Sequence, residues 1–138
     1  MDLRQAMRAV ELGEGTASFE VFARHLDRTW IARALHATGI ATVRRRKLPA
    51  EQVVWIVIGM GLLRGRSIQA VVRHLDLVWP GGATAGSRGT VTGGAVVQAR
   101  DRLGAAPLAT LFTQTAEHWA HASADRHRWR GLALYGVD

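Results

Sequence analysis

The chain has 138 residues, 48% of them hydrophobic, which suits one compact domain with a real core and argues against general disorder. A formal charge of +7 predicts attraction to polyanions, whether DNA, RNA or an anionic membrane surface. The absence of cysteine excludes disulfides, thiolate zinc sites and cysteine nucleophiles. Lys47 is the only lysine, so the positive charge is nearly all arginine. The planar guanidinium fork suits phosphates and guanine edges, although a coding bias of the genome explains a uniform arginine preference equally well.

The start, MDLRQAMRAVELGEG, carries acidic residues and no apolar signal core, so no secretion signal is expected. Leu3 to Leu12 is read as a short helix ended by Gly13, and Phe19, Val21, Phe22 and Leu26 as a second, with Ser18 as its cap. Asp27 is placed to cap a third helix from Arg28 to Thr38, whose Trp30, Ile31, Ala34 and Leu35 form one apolar stripe before Gly39 stops it. Arg44, Arg45, Arg46 and Lys47 then run into Leu48-Pro49. Proline suits the first turn of a helix, where its missing N–H would have had no partner. A basic run thus sits at a helix entrance, a layout suited to nucleic acid, with a solvated charge run as the plainer explanation.

From Val53 to Leu63 the side chains are almost entirely apolar. A membrane-spanning helix needs about 20 such residues, and this stretch is bounded by Glu51 and Gln52 on one side and Arg64 and Arg66 on the other. It is therefore a core helix, no membrane partner is expected, and the compartment is expected to be the cytoplasm. Gly65 is positioned to end it in a left-handed conformation and Ser67 to cap the next helix. The segment from Pro80 to Gly94, with its six glycines, is expected to be a flexible loop.

Thr92 is expected to cap a helix in which Val96, Ala99 and Leu103 share a face while Gln98, Asp101 and Arg102 point elsewhere, with Gly104 closing it. Pro107 begins a further helix running to about Ala122, with Leu108, Leu111, Phe112, Thr115 and Trp119 at helical spacing. Core packing is the favoured reading of Trp55 and Trp119. His118 and His121, near Asp125 and His127, match no complete metal-ligand signature, and surface histidines explain them better. The glycine-rich loop lacks the lysine and hydroxyl of a phosphate loop, and no nucleophilic serine motif is present. The basic stretch from Arg126 to Arg130 leads into GLALYGVD, read as the beginning of a buried strand with nothing following to pair with it.

Three segments, RRRKLPAEQVVWIVIGMGLLRGRSIQAVVRHLDL, VVQARDRLGAAPLATLF and RWRGLALYGVD, together resemble the amino-terminal region of bacterial insertion-element transposases of the insertion sequence 4 type. The resemblance covers most of the chain from about Val43 onward. It implies an all-α, DNA-engaging region over residues 1–130, followed over residues 131–138 by the truncated first strand of a ribonuclease-H-like domain. In such transposases that domain cuts and joins DNA with two aspartates and one glutamate. Asp138, at the end of LALYGVD, is then the first of these, a catalytic residue and a ligand of magnesium only in a complete protein. Two-metal phosphoryl transfer needs several carboxylates held together, so the 138-residue chain is expected to bind no cofactor and to be inactive alone.

The helices from Ser67 to Leu77 and from Gly93 to Leu103 invite comparison with a helix-turn-helix, although the long glycine-rich loop departs from its usual three- or four-residue turn. Gln98, Arg100 and Arg102 are the candidates for base or phosphate contact, and Arg44 to Lys47 for phosphate contact. The expected partner is double-stranded DNA at the element ends. A free-standing helical transcriptional regulator is the alternative, and an apolar strand ending in one aspartate argues against it. A blander third reading is a structural domain that forms a homodimer through the face from Val53 to Leu63.

Overall fold

A computed structural model describes residues 22–40, 48–78, 92–124 and 128–133. The expectations that fall on Leu3 to Leu12, Ser18, Phe19 and Val21, on the basic run Arg44 to Lys47, on the glycine-rich stretch over residues 79–91, and on Asp138 lie outside them. The described chain is mostly helical, as expected. Residues 22–25 are helical, and after them come α1 (Arg28–Ala37), α2 (Ala50–Leu62), α3 (Ile68–Val78), α4 (Gly93–Leu103) and α5 (Ala106–Ala124). A two-stranded antiparallel hairpin follows, β1 (Arg128–Trp129) and β2 (Leu132–Ala133).

Local chemistry sets most of the helix ends. The Asp27 carboxylate accepts the Thr29 N–H at 2.8 Å and caps α1, satisfying an amide donor that has no partner within the helix. At the other end the Thr38 hydroxyl and backbone N–H both donate to the Ala34 carbonyl, and Gly39 takes φ +71, a conformation open to glycine. Ser67 Oγ accepts from Ala70 N–H ahead of α3, and Thr92 Oγ1 accepts from Ala95 N–H ahead of α4.

Five details depart from the sequence reading. Pro49 is the cap residue of α2 in extended backbone, one position before the first helical residue. Gly65 does not take a left-handed conformation. Instead α2 ends at Leu62, the Leu63 N–H reaches the Gly59 carbonyl at 2.8 Å and Arg64 Nε donates to the Gly61 carbonyl, so the last turn is closed without it. Gly93 and Gly94 belong to α4 and not to the loop, because the Thr92 cap starts the helix at once. Phe112 is 73% exposed, displaced from the buried edge that Leu111 and Thr115 occupy. Leu132 and Ala133, the described part of the terminal segment, have a partner upstream. They pair with Arg128 and Trp129 through a tight turn at Arg130 (φ 48) and Gly131 (φ 83), of the kind right-twisted hairpins favour, and Leu132 is exposed where a buried strand was expected.

The core lies around α2. Its Val53, Val54, Trp55 and Ile56 are all buried in succession, and it packs against α1, α3 and α4. A helix buried on so many sides needs no polar face, which is why its apolar stretch is continuous while its neighbours carry stripes. The α1 stripe of Ile31, Ala34 and Leu35 is buried, and α1 makes its most extensive contact with α5. An aromatic cluster extends that contact. Trp119 of α5 meets Trp30 of α1 and Phe22 edge-on, with both ring pairs 6.3 Å apart. No described helix is long and apolar enough to cross a membrane.

Candidate nucleic-acid interface

The α4 helix buries Val96, Ala99 and Leu103 and exposes Gln98, Arg100 and Arg102. At 3.6 residues per turn, Gln98 and Arg102 are neighbours one turn apart, whereas Arg100 lies roughly 160° around the axis from Arg102. The sequence treated the three as one set; the fold divides them between two flanks of the buried stripe. Arg102 Nε donates to the Gln98 carbonyl at 3.2 Å, which ties the base of the guanidinium to the helix surface. Both arginines stand in the last turn, where positive charge is favoured by the carbonyl end of the helix dipole.

Arg102 also lines an open groove with Ile40, Leu48, Ala50, Val53, Ala99 and Leu103. Three parts of the chain meet here: the turn after α1, the entrance to α2 and the end of α4. Ile40 is held by its N–H bond to the Leu35 carbonyl, and the helical backbone of α2 fixes Ala50 and Val53. Leu48 is covalently next to Lys47, so the basic run Arg44–Lys47 joins the fold at the groove Arg102 borders. That proximity could not be read from the sequence, because Leu48 and Arg102 belong to different helical units.

The other candidates stand apart from this surface. His118 is exposed, and its ring lies 4.8 Å from that of Trp30 on the α1–α5 side. Among the described residues no three histidine, aspartate or glutamate side chains gather to hold a metal ion. Asp138, the position assigned to magnesium by resemblance, is outside the described residues. Sequence reasoning gave no functional role to the hairpin residues Arg128, Trp129 and Arg130, all of which are exposed. The Arg130 guanidinium lies 4.9 Å from the Trp129 ring centroid. Their signal in the sequence was the interleaving of arginine with tryptophan just before a glycine.

Comparison with known proteins bears on the same region. The chain is 40% identical over 114 residues to the transposase InsG for insertion sequence element IS4 of Escherichia coli K12, a match covering 83% of this chain and 24% of that protein. It is 39% identical over 121 residues to the putative transposase InsZ of the same organism, covering 88% of this chain and 38% of that one. The chain thus spans well under half the length of either relative. No solved structure matches it. Residues 16–113, which include the whole groove and α4, match the insertion element 4 transposase N-terminal family, and the chain belongs to that family.

Proposed function

We propose that this chain is the DNA-binding amino-terminal region of a transposase and engages duplex DNA at the ends of an insertion element. The observation that carries the reading is the groove shared by Leu48 and Arg102, which puts the attachment point of Arg44–Lys47 beside the cationic edge of α4. In this reading Arg44, Arg45, Arg46 and Lys47, which lead in sequence into Leu48, and Arg102 all serve as phosphate contacts. Gln98, on the same edge as Arg102, is the side chain best placed to read a base, since a glutamine amide matches the donor and acceptor pair of adenine in the major groove. Arg100 faces away and lies off the main contact.

Within this reading α4 is the DNA-facing helix and α3 supports it. The arrangement is a loose relative of a helix-turn-helix, for both helices rest chiefly on α2 and touch each other less. The role proposed for this region is recognition and anchoring of DNA.

Titration of labelled duplex at a series of salt concentrations tests the proposal. Phosphate contacts release counterions, and affinity should fall steeply and log-linearly with salt. A duplex affinity independent of salt, or the absence of duplex binding, would refute it. Replacing Gln98 with alanine should narrow the gap between preferred and random duplexes more than it weakens binding to random DNA.

A further inference from the structure

We infer that the upstream segment Leu3–Leu12 docks on the edge of α5 that carries Phe112, so that the protein's own chain covers this ring. Such a contact goes beyond the DNA-binding reading and does not depend on it.

Phe112 is 73% exposed, yet it belongs to a row. Leu108, Phe112 and Trp119 follow one another along α5 at steps of four and seven residues, which keeps them within about 40° of one edge of the helix. A single exposed ring would need no explanation, but Leu108 and Trp119 are half-buried against the core and Phe112 stands between them. The Trp119 end of the row is already covered. Phe22 and Trp30 meet its ring edge-on, each at 6.3 Å, and Phe22 is itself buried. Phe22 is the first described residue, so residues 1–21 join the fold at the covered end of this row. Phe112 lies about 10.5 Å from Trp119 along the helix axis.

The upstream sequence suits the rest of the row. Leu3, Met7 and Val10 recur at i, i+4 and i+7, the spacing of an apolar helical stripe. Residues 13–21, at about 3.3 Å each when extended, can bridge about 30 Å, so the stripe can reach Phe112 from Phe22. A tether this short holds the segment at about millimolar effective concentration, an advantage over any separate chain.

The sign of one substitution in the full 138-residue chain separates a covered ring from one left in water. Alanine is the better helix former, so at a solvated ring Phe112→Ala would keep or raise Tm; at a covered ring it should lower Tm by about 4 °C or more, as followed by circular dichroism. Leu3→Ser, Met7→Ser and Val10→Ser introduced together should abolish that loss, because the two sides of one contact are not additive. Proximity is read separately, and does not require the serine variant to fold. The chain has no cysteine, so Ala6→Cys with Ala116→Cys, one turn from Phe112, supplies the only two thiols. In dilute protein a short bismaleimide should link them within one chain about ten-fold faster than it links Ala6→Cys to His121→Cys, which stands about 180° around α5 from Phe112. Docking of this segment is overturned by an unchanged or raised Tm for Phe112→Ala, or by equal linking of the two cysteine pairs. A Tm loss that persists in the serine variant, or linking only between chains, also overturns it, since another segment or a second copy would then cover the ring.

Discussion

If Arg44–Lys47 and Arg102 all contact phosphate, removing these charges must do more than lower the net charge. Alanine at Arg44, Arg45 and Arg46 removes three proposed phosphate contacts, and at about 0.9 per contact the slope of log affinity against log salt should flatten by about 2.7. Over a four-fold rise in salt the parent should then lose about forty-fold more affinity than the triple variant. Adding Arg102→Ala should flatten the slope by about 0.9 more, worth a further three- to four-fold over the same range. Arg100→Ala removes an identical charge two residues away but from the far flank of α4, roughly 160° around the helix, and should leave the slope of the triple variant unchanged. The assay is anisotropy of a labelled duplex at graded salt, with all variants compared at equal concentration. Equal effects of Arg100→Ala and Arg102→Ala would refute the assignment, because they would show a diffuse response to net charge.

Three further predictions concern the scaffold. Ile31 is completely buried between α1 and its neighbours, so Ile31→Ala should destabilise the domain by about 2–5 kcal/mol, as read from denaturant unfolding. Gly104 combines φ 66 with ψ −176, a region nearly reserved for glycine; Gly104→Ala should cost about 1–3 kcal/mol through backbone strain, even though its Cβ would meet open space. The Thr29 backbone N–H, the Thr29 hydroxyl and the nearby Arg33 charge hold the Asp27 carboxyl below its ordinary value of 3.8. A lowered folded-state value means that the ionised cap stabilises α1 above that ordinary value and loses its effect as pH falls through the lowered one. Asp27→Ala should therefore lower Tm at neutral pH, with the gap from the parent narrowing below pH 3.8; a gap constant across that range would refute the role of ionisation.

The features legible from sequence are those closed by neighbours within about four residues. The caps at Asp27, Ser67 and Thr92 and the stop at Gly104 follow from side-chain and backbone hydrogen bonding over one turn. The buried stripe of Val96, Ala99 and Leu103 follows from helical periodicity alone. Periodicity could not separate Phe112 from its buried neighbours, because exposure at the edge of a stripe depends on where the facing helix ends. Nor could composition divide Arg100 from Arg102, since their charges are identical and only the docking of α4 on α2 directs one toward the groove. The pairing of Arg128 and Trp129 with Leu132 and Ala133 is not legible as periodicity, because two residues per strand are too few to show alternation and the partner lies upstream across the Arg130-Gly131 turn. Sequence by itself determined the described helices, the caps at Asp27, Ser67 and Thr92 and the resemblance to a transposase region; tertiary packing decided that Leu48 and Arg102 border one groove, because that proximity comes from contacts between segments far apart along the chain.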